Sequence, residues 1–472
     1  MDKYRNLLHT LQCQEERKNS AGSGDDIAKT TEEAKVDTKI YPENKSLKCT
    51  PELERLSLLE YGTHRVTRRE FAFNMAQIAG VVLLGELGMN SCKSPKTSEI
   101  GKKDSIIKSG EESDMQFPLF EVSGTPFEIG LGIGKRFAED IKKGFEKRSK
   151  WWKELKEFAM ADSSLYETFL SAAKKHTPSV IEELKGWAEG SGIPFEDLFI
   201  LNLKAEYGAL KDEADRKKQT PVAGCSTIVI KDNKRLILAH NEDGDAAYLE
   251  HMFLLRVSPK EGHSFFCASY PGILPGNAPW INDAGIIMTT NFIYSKEVKP
   301  GVGRYFLDRL SMEKGTLNEV LDVCKHPERA YSFHHVIVST KERKAISLEV
   351  TPQKFAEKQI EGIYIHTNHL IDPELSSEAQ DLQYVAKSSM TRWNVLSKWR
   401  ASFNNPSPVT EESIMSVLSS HEGKPYSPCR HPEGEIQGAT LLTALFNIDK
   451  PSFRIYKNQP CLNKYADYPF RF

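Results

Sequence analysis

No stretch of eighteen residues in this chain is both apolar and free of charge, which excludes a conventional bilayer-spanning helix. Neither sign of charge is in excess. The 63 Lys and Arg stand against 65 Asp and Glu, a formal net charge of -2. That balance argues against a general nucleic-acid binder and against an acidic tail seeking basic partners. The eight cysteines are Cys13, Cys49, Cys92, Cys225, Cys267, Cys324, Cys429 and Cys461. None forms a C-x-x-C pair, and their spacings resemble neither a zinc site nor a disulfide scaffold. The glycines Gly130, Gly132 and Gly134 lack the Lys-Ser/Thr that completes a phosphate loop, and they sit inside a helical pattern. No spacing implies a metal or an organic cofactor, and no internal repeat is visible.

What is present suffices for one large domain or two medium ones: 472 residues, 39% of them hydrophobic and 10% aromatic. Residues 1–66 are rich in Lys, Glu, Asp, Ser and Thr and are expected to be a disordered extension, because they cannot bury enough surface to offset chain entropy. Residues 67–92 read as an export signal. Arg68-Arg69 precede the mildly apolar stretch from Ala72 to Met89, as in a twin-arginine leader. Ser91-Cys92 then suits a lipoprotein cleavage box, with Cys92 acylated as a membrane tether. The alternative is a short amphipathic helix, since Glu86 interrupts the apolar run. The distance of the arginines from Met1 would fit a start codon further downstream. Residues 93–114 are polar and suit a linker. Location is therefore expected to be periplasmic or cell-envelope, or cytoplasmic if the leader reading fails.

Ordered patterning covers residues 115–472. The part up to Gly224 is mainly helical. Phe127–Lys135 has helical spacing, with glycines that allow a close neighbour, and residues 178–207 read as two helices. After Cys225 the period changes. Ser226–Ile230 and Arg235–His240 form an expected hairpin around Lys231-Asp232-Asn233-Lys234. Further strands are expected at Met252–Val257, Ser264–Tyr270, Gly285–Asn291, His334–Ser339, Ala345–Val350, Ile363–Thr367, Ala439–Asn447 and Ser452–Tyr456. Helices are expected near Gly303–Lys325, Ser388–Arg400 and Glu411–Ser420. Strand blocks joined by hairpins and alternating with helical blocks predict two stacked antiparallel sheets with helices outside, an α+β sandwich.

Gly224-Cys225 at the mouth of the first strand is the most informative dipeptide. A cysteine preceded by glycine is where a chain can cut itself to expose a new N-terminal thiol. Cys225 would then carry a free α-amine, with a reference pKa of roughly 7.7–8.0, as a general base tied to its own nucleophile. The plain alternative is a buried strand cysteine. Asn368, in Thr367-Asn368-His369 after a strand, is a candidate oxyanion-hole donor, and His369 is read as structural.

The ordered part resembles the penicillin acyltransferase family. The resemblance is carried by Gly124-Thr125-Pro126-Phe127-Glu128-Ile129-Gly130, Gly186-Trp187-Ala188, Gly224-Cys225-Ser226, Asn241-Glu242-Asp243, Tyr270-Pro271-Gly272 and Asn282-Asp283-Ala284-Gly285. It continues through Thr367-Asn368-His369, Ser389-Met390-Thr391-Arg392, Pro428-Cys429-Arg430-His431-Pro432 and Gly438-Ala439-Thr440-Leu441. These are N-terminal-nucleophile (Ntn) hydrolases with a four-layered αββα fold, made as inactive precursors and self-cleaved at Gly–Cys. The resemblance implies a pair of chains, 115–224 and 225–472. It places at Asp243, eighteen residues after Cys225, a carboxylate that orients the N-terminal cysteine. It places at Arg392 an arginine that pairs with Asp243 or holds a substrate carboxylate. Asn241 would order the same loop, while Tyr270 and Asn282 would shape the pocket wall. The implied activity is a cysteine amidohydrolase or acyltransferase acting on small-molecule amides, with water or an amine as acceptor and acyl-CoA as a donor in relatives. A papain-like cysteine peptidase needs a separate histidine base, and none pairs with Cys225 in the sequence. A non-catalytic envelope binding protein on the same fold is the alternative of another class.

Overall fold

The computed structural model describes residues 60–61, 64–65, 115–211, 224–382, 385–403, 409–434 and 436–470. The expected leader, Cys92 and the linker lie outside these residues. Glu60–Tyr61 pairs antiparallel with His64–Arg65, so the N-terminal segment contains a two-residue ladder where none was expected.

The folded body begins with β1 (Leu119–Gly124) and seven helices: α1 (Pro126–Arg136), α2 (Ala138–Lys147), α3 (Ser149–Ala161), α4 (Ser163–His176), α5 (Pro178–Ser191), α6 (Phe195–Leu201) and α7 (Lys204–Leu210). The start of α1 is set locally. Thr125 and Glu128 form a reciprocal capping box, and Pro126 occupies the first turn. Helices α1 and α5 then meet through glycine. A Cβ on Gly130 would lie 1.9 Å from the Glu183 carbonyl oxygen, and one on Gly186 would lie 2.2 Å from that of Phe127. No side chain fits at such distances, so the small residues set the spacing of the two helices. The stretch 178–207 holds parts of three helices, because Gly192 in the left-handed region and Pro194 end α5, and a turn at Asn202 and Leu203 separates α6 from α7.

After the junction at Cys225 come β2 (Ser226–Lys231), β3 (Leu236–Asp245), β4 (Phe253–Pro259), β5 (Phe265–Ser269), β6 (Trp280–Asn282) and β7 (Ile286–Phe292). Helices α8 (Arg304–Ser311) and α9 (Leu317–Cys324) follow, so the single helical stretch expected over 303–325 is divided in two. Then come β8 (Phe333–Ser339), β9 (Lys344–Val350), β10 (Phe355–Gln359), β11 (Gly362–His366), α10 (Met390–Ala401), α11 (Glu411–Leu418), β12 (Gly438–Asn447), β13 (Ser452–Lys457) and β14 (Tyr465–Pro469).

One sheet has eight strands in the order β10-β9-β8-β7-β6-β5-β4-β1, and the other has six in the order β11-β2-β3-β12-β13-β14. The expectation of purely antiparallel sheets fails at one place, where β1 lies parallel to β4. The chain leaves β1 into the helices and the β2–β3 hairpin before it returns, and such a long crossover permits a parallel pair.

The layering follows from strand periodicity. On β2 and β3, Ile228, Ile230, Ile237 and Ala239 pack with Leu396, Ile414 and Leu418 of α10 and α11. Their alternates Val229, Leu236 and Leu238 join the main core. Both faces of these strands are therefore buried, one under helices and one under the other sheet. On the far side of the eight-stranded sheet, helical residues cover the opposite face. Phe137, which follows α1, stacks on Phe253 of β4 with ring centroids 3.5 Å apart. The result is an αββα sandwich. Polar residues bridge its midplane: the Thr227 hydroxyl donates to Asn291 Oδ1 at 2.7 Å, and the rings of His334 and His366 stack at 3.4 Å.

Candidate active site

Cys225 is buried at the start of β2, one residue before Ser226 pairs with Asn241 of β3. Alternation assigns the neighbouring side chains. Cys225, Thr227, His240 and Glu242 lie on the inter-sheet side. Gly224, Ser226, Asn241 and Asp243 lie on the side of α10 and α11.

On the inter-sheet side, the nearest acceptor to the thiol is Glu242, with Sγ to Oε2 at 3.7 Å. His240 Nε2 meets the same oxygen at 3.1 Å, and the Tyr270 hydroxyl donates to Oε1 of Glu242. Burial, the Glu242 charge and the Asp243 charge all push the Cys225 thiol well above its ordinary value, so it holds its proton in the uncut chain. Burial and the same Glu242 charge raise the Tyr270 phenol, which stays a donor. Tyr270, expected to shape the pocket wall, is thus also a hydrogen-bond partner of Glu242. The nearby imidazole also differs from the sequence reading, which found no histidine to pair with Cys225. A ring nitrogen of His240 lies within 4.8 Å of the sulfur. The His240 nitrogens are, however, engaged by Glu242 and, at 2.8 Å, by the Thr227 hydroxyl.

On the helix side, two guanidinium groups enclose Gly224. A Cβ placed there would lie 2.8 Å from Arg430 Nη2 and 2.9 Å from Arg392 Nη2. Arg392 Nη1 donates to the Cys225 carbonyl and, at 3.2 Å, to Ser226 Oγ. Its Nη2 donates to Asn368 Oδ1 at 2.8 Å and to Ser388 Oγ at 3.3 Å. Burial and the neighbouring Arg430 charge bring Arg392 down to about 10, which leaves it a cation at neutral pH. The arginine closest to Asp243 is Arg430, with Nε 3.9 Å from Oδ2. The expected Arg392–Asp243 pairing is thus replaced by an Arg430–Asp243 contact, because Arg392 spends its fork on Cys225, Ser226 and Asn368. Arg430 was visible within the Pro428–Pro432 motif, but nothing in that motif signals that it folds under Gly224.

A β-bulge brings Asp243 its other partner. In the β3–β12 ladder Thr440 opposes Asp243, Leu442 opposes Glu242 and Thr443 opposes Asn241, leaving Leu441 as the extra residue. Without the bulge, Thr440 and Thr443 could not face the same side. With it, the Thr440 hydroxyl donates to Asp243 Oδ1 and that of Thr443 to Asn241 Oδ1, each at 2.7 Å. Gly244 lies nearby, where a Cβ would come 2.7 Å from Leu441 Cδ1 and the leucine side chain would have to shift. Burial raises the Asp243 carboxyl to about 7 against the pull of Arg430 and Arg392. Among the described residues its Oδ2 has no hydrogen-bond donor.

Asn241 donates at 2.9 Å to both the Leu418 and the Pro428 carbonyls, tying α11 and the Arg430 loop to β3. Asn368 Nδ2 donates to the Phe292 carbonyl at 2.8 Å, and its backbone N–H to Ser389 Oγ at 2.7 Å. Burial, with the His366 and Arg392 charges, lowers His369 to about 3, and the ring contacts Ser389 Oγ at 2.8 Å. Asn282 stands apart from this group. Its side chain bonds the backbone at Ile286, Met312 and Lys314. The structure therefore gathers Gly224, Cys225, Asn241, Asp243, Tyr270, Asn368 and Arg392, and adds Glu242, His240 and Arg430.

Residues 229–461 match the family profile described as acyl-coenzyme A:6-aminopenicillanic acid acyl-transferase, a span that begins just after Cys225. A beta-alanyl-dopamine/carcinine hydrolase from Drosophila melanogaster is 24% identical over 371 residues, covering 73% of this chain and 93% of the relative. Two solved structures of mutant conjugated bile acid hydrolase from Clostridium perfringens are similar at TM-scores of 0.38 and 0.34. Their identities are 11% and 12%; each covers 52% of this chain and 92% or 96% of its own. The profile and the Drosophila relative both belong to the penicillin acyltransferase family that the sequence motifs resemble, and both support an amide-bond hydrolase or acyltransferase of the Ntn type.

Proposed function

We propose that this chain cuts itself between Gly224 and Cys225 and then uses the freed Cys225 against small-molecule amides. One observation carries the reading. The junction is buried between the Glu242 carboxylate, 3.7 Å from the thiol, and the Arg392–Arg430 guanidinium pair around Gly224. Glu242 takes the Sγ proton, and the sulfur attacks the Gly224 carbonyl carbon. The guanidinium pair supplies positive charge where the tetrahedral oxyanion forms. The C–N bond breaks, Cys225 nitrogen takes a proton, and the Gly224 acyl group rests on sulfur as a thioester. Water then releases Gly224 as a carboxylate and Cys225 as a thiol with a free α-amine.

The two products stay together, because β1 and α1–α7 belong to the first piece while β4, partner of β1, belongs to the second. The new α-ammonium brings hydrogen-bond donors beside Asp243, whose Oδ2 lacks one. In turnover the α-amine relays the thiol proton to the leaving amine, and the acyl group passes through a Cys225 thioester to water or an amine. Asn368 is the candidate oxyanion donor. The Drosophila relative supports aminoacyl amides of small amines as the first substrates to try. Incubating purified protein with such amides and with N-acyl amines tests this, with amine release and a mass increment on the Cys225 peptide as readouts. Turnover with no acyl group on Cys225 would reject the thioester route. Export through Arg68-Arg69 and anchoring through Cys92 belong to the same proposal. Unchanged fractionation of an Arg68→Lys/Arg69→Lys variant would dismiss the leader.

A further inference from the structure

Outside the site above, one cluster carries chemistry that the amide reaction does not use. His421, Cys429, His431 and Cys461 each offer a ligand atom, and the four atoms all lie within 4.8 Å of one another. They come from three places in the chain. His421 follows α11, Cys429 and His431 flank Arg430, and Cys461 sits in the 3-10 turn Pro460–Leu462 between β13 and β14. His431 Nε2 lies 3.7 Å from Cys429 Sγ and 3.3 Å from Cys461 Sγ. The two imidazoles meet edge to face, with centroids 5.1 Å apart.

A tetrahedral zinc with Zn–S of about 2.3 Å and Zn–N of about 2.0–2.1 Å places its sulfur and nitrogen ligands about 3.6 Å apart. The observed sulfur–nitrogen separations bracket that value. Two thiolates and two neutral imidazoles are also a donor set that favours zinc over harder ions. Both thiols would lose their protons on binding, and the two negative charges would neutralise the ion. The ligands are at least 30 residues apart between Cys461 and His431 and only two apart between Cys429 and His431, so no spacing rule exposes them.

We propose that His421, Cys429, His431 and Cys461 bind one Zn²⁺ tetrahedrally and so fix the segment that aims Arg430 at Gly224. The ion is a clamp with four protein ligands and no open position. Arg430 lies between two ligands, so the metal ties the loop after α11 and the β13–β14 turn to the active-site guanidinium pair.

The test is zinc content of the full chain, expressed with zinc and purified anaerobically, together with the Co²⁺-substituted spectrum. Wild type is expected to carry about one zinc per chain and, with Co²⁺, to show tetrahedral d–d bands and sulfur-to-cobalt charge transfer. Cys461→Ser and His421→Ala alter exposed ligands on separate loops and should each lose most of the zinc while keeping native circular dichroism. Cys225→Ala should retain it, which separates this site from the Cys225–His240–Glu242 group and from the question of self-cleavage. The proposal is overturned if wild type carries no stoichiometric zinc, if both exposed-ligand variants keep it, or if Cys429 and Cys461 are recovered as a disulfide.

Discussion

The two faces of β3 handle charge in opposite ways. On the inter-sheet face, Glu242 has a phenol, an imidazole and a thiol as neighbours, and among the described residues no arginine is bonded to it. On the helix face, one residue later, Asp243 has a hydroxyl and stands beside two buried guanidinium groups. In the proposed self-cleavage, these adjacent carboxylates on one strand divide into a proton acceptor beside the thiol and a counter-charge beside the glycine. The lesson is that the Asn241-Glu242-Asp243 motif serves two faces at once, which meet at Cys225.

Replacing Cys225 by Ala removes the group both faces serve. The expected outcome is no scission and no amide turnover, read by gel and by amine release. Next in size is the contrast between the faces. Glu242→Gln should slow scission by roughly 10²–10⁴-fold, the range for losing a general base. Asp243→Asn should still cut, more slowly, and yield a processed enzyme with reduced kcat. If Asp243→Asn stays intact while Glu242→Gln cuts normally, the assignment of the faces is reversed. Asn368→Ala in processed enzyme should lower kcat by roughly 10²–10³-fold with little change in KM.

A smaller effect sharpens the helix face alone. Thr440→Val keeps the shape of the bulge but removes the donor to Asp243, and should cost about 1–3 kcal/mol in denaturant unfolding. The smallest is a pH effect. Burial holds the Asp243 carboxyl at about 7 in the folded chain, above the value of an unfolded aspartate. The folded state therefore binds the extra proton, and this contribution to stability is full below about pH 4 and lost as pH rises through about 7. Uncut Cys225→Ala protein should show that loss, and the Cys225→Ala/Asp243→Asn double variant should not.

Much of this was legible in residue order. The β2–β3 hairpin, the helical stretch before the junction and the two-sheet sandwich follow from periodicity, because strands buried on both faces and helices with glycine seams leave strong local patterns. Three strands after Cys225 were not. Trp280–Asn282 is too short to show alternation, and Phe355–Gln359 and Tyr465–Pro469 are exposed edges whose polar residues hide them. The parallel β1–β4 pair also has no local signature. In the site, Cys225 and its glycine announce themselves, whereas Glu242 reads as one more polar residue beside Asp243. Its importance depends on which way it points, and that is fixed by the β2–β3 register, which no local pattern displays. Arg430 and the His421–Cys461 cluster were hidden for the same reason, since folding alone brings their loops together.

Terminal sequencing of freshly purified wild-type protein, with intact masses of its pieces, tests the central claim most directly. The account predicts one piece ending at Gly224 and another beginning at Cys225, with an unbroken chain from Cys225→Ala. Wild-type protein that turns over amides while its Gly224–Cys225 bond remains whole would contradict it.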